Sequence, residues 1–148
     1  MKHKKILYAL TLFVLVAFSS CMKPRVELND GAWGDNAYIT GANLFTLVEV
    51  KNQLGYNEPV TGYQDVGVTV SSNVVDKSKA SVTIVAVKGT DLTKIGIRFT
   101  HSAKKIEPLN GAPVAGVISD FSKGPFVYRV YSADGTTRDW TIYISVAP

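Results

Sequence analysis

Few residues of this 148-residue chain could carry chemistry, and they lie far apart. There is one cysteine, Cys21, and there are two histidines, His3 and His101. A lone thiol forms no internal disulfide, and a thiol with so few histidines assembles no Cys/His zinc site. A Ser-His-Asp relay would have to use His101, which Ser102-Ala103-Lys104-Lys105 follows with the composition of a solvated loop. Glycosidase carboxylates are brought together in space, so Asp134 and Asp139 are the pair to weigh. Asp134 suits a turn, however, and Asp139 suits an ion pair with Arg138 or a lysine. Asp30-Gly31-Ala32-Trp33-Gly34-Asp35-Asn36 offers oxygen ligands of the kind calcium takes, but not at the spacing of an EF-hand. No P-loop and no glycine-rich dinucleotide fingerprint is present. The expectation is therefore no catalytic residue, no metal site and no cofactor. Three aromatic residues in or beside loops remain, Trp33, Tyr56 and Tyr63. Aromatic faces stack on sugar rings and anchor protein interfaces, so these are the candidate ligand-binding residues; capping the ends of the fold is their plainer role.

The elements that would carry these residues begin with a leader. Met1-Lys2-His3-Lys4-Lys5 is positive, and residues 6–18 form an uncharged run rich in Leu, Val and Phe. Thirteen residues are too few to cross a hydrocarbon core, which needs roughly 20 in a helix. That length suits the apolar region of a signal peptide. Phe18-Ser19-Ser20-Cys21 then resembles a lipobox, the recognition site of lipoprotein signal peptidase, with Phe18 where Leu is commoner. The resemblance implies lipid on the Cys21 thiol, cleavage before Cys21, and acylation of the new terminus with palmitate or a similar chain. More than one acyl chain makes anchoring stable, at about 0.8 kcal/mol per buried methylene. The expected partner at this end is the membrane, and the expected location is the outer membrane, on its cell-surface or periplasmic face.

Cleavage also changes the charge. The whole chain carries 16 basic and 12 acidic residues, and Lys2, Lys4 and Lys5 leave with the leader, so the net falls from +4 to +1. The basic balance is a targeting feature and gives no reason to expect nucleic acid as a partner. The organisation read from the sequence is a signal peptide at 1–20, a lipidated tether at 21–36 and one domain at 37–148.

Within the domain, strand follows strand, and no stretch of ten or more residues has helical apolar periodicity. Residues 38–40 and 44–50 are rich in β-branched and aromatic types, with Gly41 suggesting a bulge between them. Residues 51–62 read as a long loop, and 63–71 as one strand with Val66, Val68 and Val70 on a common face. Val82, Ile84 and Ala86 share a face of the next strand, and Gly89-Thr90-Asp91-Leu92 turns the chain, with room for one helical turn. Ile95, Ile97 and Phe99 alternate in a half-buried strand. Residues 103–116, with Pro108, Gly111 and Pro113, read as irregular. Residues 126–133 and 138–146 form a hairpin about Asp134-Gly135, with Phe126, Tyr128 and Trp140 in the core. Tyr131 and Tyr143 should face outward and pair across that hairpin. About seven short strands with regular turn signals predict an all-β antiparallel sandwich, with a small closed barrel as the alternative.

The pattern of Ser81-Val82-Thr83-Ile84, Gly89-Thr90-Asp91-Leu92-Thr93 and Ile95-Gly96-Ile97-Arg98-Phe99 forms one half of a motif. The run from Tyr128 through Ser132-Ala133-Asp134-Gly135-Thr136-Thr137 to Trp140-Thr141-Ile142 forms the other half. Together they resemble the immunoglobulin-like domains of surface lipoproteins in Gram-negative gut bacteria, a family of unknown function. Trp140 stands where Tyr is usual, and residues 37–71 fit only loosely. The resemblance implies an immunoglobulin-like β-sandwich and brings no catalytic residues, and a fold alone does not give a function. The expectation is a lipid-anchored, non-enzymatic envelope module for binding or assembly, with a glycan or an envelope protein as partner. A structural or fimbria-like subunit pairing through an edge strand is the alternative, and a small glycan hydrolase ranks last.

Overall fold

A computed structural model describes residues 34–51 and 61–148. The leader, Cys21, Trp33 and Tyr56 lie outside the described residues, as does most of the tether. What is described is all-β: β1 (Ile39–Lys51), β2 (Thr61–Gly67), β3 (Val70–Asp76), β4 (Ser81–Ala86), β5 (Gly96–His101), β6 (Lys105–Leu109), β7 (Phe126–Tyr131) and β8 (Thr137–Val146). One short 3₁₀ turn, Leu92–Lys94, sits between β4 and β5, started by Asp91, whose side chain accepts from the Thr93 amide. The strands make two sheets, β2-β1-β5 and β3-β4-β8-β7-β6. All neighbours are antiparallel except β4 and β8, which run parallel from Ser81↔Thr141 to Ala86↔Val146.

The alternation of apolar residues explains the packing. Val82, Ile84 and Ala86 of β4, Tyr128 and Val130 of β7, and Trp140 and Ile142 of β8 are all wholly buried, and Phe126 nearly so. Ile39, Ala42 and Leu44 of β1 and Ile97 of β5 meet them from the other sheet. Burying a residue of this kind contributes about 1.5–3 kcal/mol before ordering costs. Two large core residues with polar atoms have partners for them: the Trp140 indole donates to the Ala37 carbonyl at 3.0 Å, and the Tyr128 hydroxyl donates to that of Pro113 at 2.6 Å.

Several sequence expectations need correction. Residues 63–71 are two strands, not one. The chain breaks at Val68 and Thr69 and changes sheet there, with the Val68 amide donating to the Leu44 carbonyl at 2.9 Å. Periodicity of two continues through such a corner, so it cannot show the break. Residues 103–116 are not wholly irregular, because β6 lies inside them. Among the described residues it is the outermost strand of its sheet, a position that tolerates Pro108 because one side has no ladder to complete. The two segments expected before residue 51 are one strand of 13 residues, with the bulge at Gly41 as anticipated. Tyr131 and Tyr143 do not pair: Tyr131 stands opposite Thr137, and Tyr143 stands opposite Thr83. Asp139 pairs with neither Arg138 nor a lysine. It lies directly across the hairpin from Arg129, which grips it with two bonds of 2.7 and 2.8 Å. Arg138 is the next residue along the strand and so faces the other way.

The last residues of the expected tether are fixed to the domain. The buried Ser132 hydroxyl accepts from the Asn36 amide at 2.9 Å and donates to the Gly34 carbonyl at 3.0 Å. Arg138 donates to Asp35 at 3.1 Å and to the Tyr38 hydroxyl at 2.9 Å, with its guanidinium 4.3 Å from the centre of the Tyr38 ring.

Candidate functional site

The site follows from how β1 divides its pairing. Residues from Ile39 to Phe45 pair with β5, and residues from Phe45 to Lys51 pair with β2 on the opposite side. Among the described residues, Phe45 alone has a ladder partner on both sides, Gly96 and Gly67. The rest of β1 and β2 is thus a two-stranded arm beyond the sandwich. The arm leaves apolar residues in solvent: Leu47, Val48, Tyr63 and Val66 are all exposed, Tyr63 to 71%.

Alternation places Phe45, Leu47 and Glu49 on one face of β1. Register puts Asp65 opposite Leu47 and Tyr63 opposite Glu49, so the five share the outer face of the sheet. Arg98 of β5 completes it. Its guanidinium lies 3.9 Å from the centre of the Phe45 ring and donates to Asp65 at 2.6 Å, reaching over β1 to the far strand. That reach needs Gly96 beside Phe45: a Cβ there would lie 2.4 Å from the ring. The hydrogen bond from Arg98 holds the Asp65 carboxyl below its ordinary range, and the nearby positive charge acts in the same direction. The result is a flat strip with an exposed phenol ring at one end and an ionised carboxylate–guanidinium pair at the other. It can stack on a ring and offer hydrogen-bond donors and acceptors beside it; nothing in it is arranged to transfer a proton.

Of the three aromatic candidates, the structure places Tyr63 alone, and places it in the open. Leu47, Asp65 and Arg98 were not anticipated. Alternation within Tyr63-Gln64-Asp65 would have put Tyr63 and Asp65 on one face, but only the pairing of β1 with β5 brings Arg98 there. His101 is exposed at the end of β5. Asp134 is a turn residue, accepting from the Thr136 amide at 2.9 Å, a bond that lowers its pKa. Asp139 is likewise held low, by Arg129. A general acid needs the opposite shift. The Asp35 carboxylate, within the stretch that offered calcium-type ligands, accepts from the Ala37 amide and from Arg138. Among the described residues, no group of three or more His, Cys, Asp or Glu residues is placed to hold a metal.

Similarity to known proteins agrees with this architecture. A crystal structure from Bacteroides fragilis, of a protein described as a "putative secreted protein", superposes with a TM-score of 0.61 at 20% identity. The match covers 76% of this chain and 97% of that one, and at such identity the likeness is one of fold. No curated protein matches the chain. Residues 35–143 match the DUF5018-related family, which takes in the docked Asp35 and Asn36, the arm and the hairpin, and the chain belongs to that family.

Proposed function

We propose that this protein is a non-enzymatic binding module of the cell envelope, which holds a glycan on the outer face of its β1–β2 arm. One observation carries the reading: Tyr63 is 71% exposed on the same face as the Asp65–Arg98 pair. A sugar ring presents an apolar face to a phenol and hydroxyls to a carboxylate and a guanidinium, so this strip suits it. The proposed location is the outer membrane, at its surface or its periplasmic face, with lipid on Cys21 as the anchor. The leader and the Ser19-Ser20-Cys21 sequence support this, and the fold shared with a protein described as secreted is compatible with it. We read the sandwich as immunoglobulin-like, because one half of the motif spans β4 and β5, on the two facing sheets, and the other is the β7–β8 hairpin, whose β8 pairs with β4. The test is a polysaccharide and mucin-glycan array, followed by titration with Tyr63→Ala and Asp65→Ala. Saturable binding weakened by both substitutions supports the reading, and flat titrations across the panel sink it. Incorporation of labelled palmitate, lost in Cys21→Ser, checks the anchor.

A second reading, assembly through an edge strand, rests on the backbone of the arm. The Leu44 carbonyl is turned toward the β2 side, so by alternation Leu47, Glu49 and Lys51 turn their amides and carbonyls the other way. The β5 ladder has ended at Phe45, which leaves an edge that a partner strand can extend. A strictly monomeric protein with no co-purifying partner counts against it.

A further inference from the structure

On the outer face of the three-stranded sheet, each charged strand residue stands beside its opposite. By alternation and register, the charged residues of that face among the described residues are Glu49 and Lys51 of β1, Asp65 of β2 and Arg98 of β5. They form two pairs. Lys51 Nζ lies 3.5 Å from Glu49 Oε1, and Arg98 Nη1 lies 2.6 Å from Asp65 Oδ2. Positive and negative charges are therefore equal in number along the strip. Tyr63 stands across from Glu49 and two residues from Asp65, about 7 Å along the strand, so a sugar on its ring reaches both pairs. Lys104 and Lys105 border Arg98 from beyond β5, at the side of the sheet away from Tyr63, and Lys105 is itself bound to Glu107 at 2.7 Å.

We propose that the Tyr63 strip selects a neutral glycan over uronate-bearing and amino-sugar chains, an inference that rests on the glycan reading above. A neutral hydroxyl joins an ion pair without breaking it. It donates to a carboxylate lone pair, or accepts from a guanidinium N–H, that the Arg98–Asp65 bond leaves over. An anionic sugar reaches Arg98 by displacing Asp65. That exchanges one exposed ion pair for another, of little net worth, and leaves a carboxylate beside a like charge. A cationic amino sugar meets the mirror-image exchange at Asp65, with Arg98 as the repelling group. Glu49 and Lys51 oppose both in the same way on the other side of Tyr63. The phenol ring stacks on a sugar face whatever charge the chain carries, so the two pairs decide which chain stays.

The experiment titrates the full chain in detergent with matched oligosaccharides. Each backbone is offered neutral and as its uronate: glucan with glucuronan, galactan with galacturonan, mannan with mannuronan. Chitin and chitosan oligomers supply a neutral and cationic pair. The expected result is saturable binding of a neutral member, tighter than that of its charged counterpart and equal at low and high salt. Asp65→Asn leaves Arg98 unmatched and should raise affinity for the uronate about fivefold, a gain that high salt removes. Arg98→Met should do the same for chitosan. A uronate or chitosan bound more tightly than its neutral counterpart by the parent would overturn the proposal and leave the glycan reading standing. An unchanged ranking in both variants would also overturn it, because the pairs would then play no part in selection. Blank titrations with every backbone, neutral and charged, would overturn the glycan reading and this inference with it.

Discussion

At Gly96 the absence of a side chain lets three residues on three strands stack. Phe45 fills the space over it, Arg98 covers Phe45, and Asp65 receives Arg98. Gly96→Ala puts a Cβ 2.4 Å from a ring that is only 5% exposed, and such overpacking typically costs about 1–3 kcal/mol. Denaturant unfolding should show a loss of that order, and an unchanged midpoint would mean that Phe45 can step aside freely. The Asp65 carboxyl offers a second check on the same stack. Its folded pKa lies below the ordinary value of 3.8, so whatever stability the pair contributes is present at neutral pH and is lost as pH falls through the depressed value. NMR titration should find its midpoint below 3.8 in the parent and back at the ordinary value in Arg98→Met. None of this stack was legible in the sequence. Phe45, Asp65 and Gly96 each sit in ordinary strand patterns, and their meeting depends on which strands pair with β1. Trp140 is the contrary case, because strict alternation over 138–146 placed it in the core unaided. Trp140→Ala should cost about 3–5 kcal/mol, with Trp140→Phe losing chiefly the bond to the Ala37 carbonyl.

At the scale of the element, the β7–β8 hairpin and the β1–β2 arm differ in what specifies them. The hairpin carries its own instructions: Asp134 accepts from the Thr136 amide, Gly135 adopts φ +92°, and Arg129 meets Asp139 directly across. Each of these is local, so the register could be read from the sequence. Gly135→Ala forces a side chain into the left-handed region and should lower stability by about 1 kcal/mol, measured by thermal unfolding. The arm has no such code. Its strands expose apolar residues on both faces, and its pairing is fixed where Phe45 enters the sandwich. A two-stranded ribbon of this kind is marginal in isolation, so it stays ordered through its root. The same absence of local signal concealed β6, whose Lys105-Ile106-Glu107-Pro108-Leu109 reads as a strand only once β7 lies beside it.

For the whole molecule, the sequence motif and the folding unit are different objects. The recognisable pattern runs over residues 81–146, whereas the family match begins at residue 35. The packing supplies a reason for the difference. Wholly or nearly buried Ala37, Ile39, Ala42 and Leu44 belong to the same core as Ile84, Tyr128 and Trp140, so the five-stranded sheet is covered by a strand that the motif omits. Further ties cross the whole chain: Ser132 to Gly34 and Asn36, Arg138 to Asp35, and Trp140 to Ala37. A fragment spanning residues 78–148 therefore keeps the motif but exposes the apolar face of β4, β7 and β8. It also loses β1, with which β5 pairs over its length. Apolar area of that size in water outweighs the pairing that remains. The fragment should lack a cooperative unfolding transition and bind a hydrophobic dye, and adding residues 34–77 should restore both cooperativity and dispersed amide signals. A fragment that unfolds cooperatively by itself would make β1 an accessory strand and move the domain boundary to residue 78.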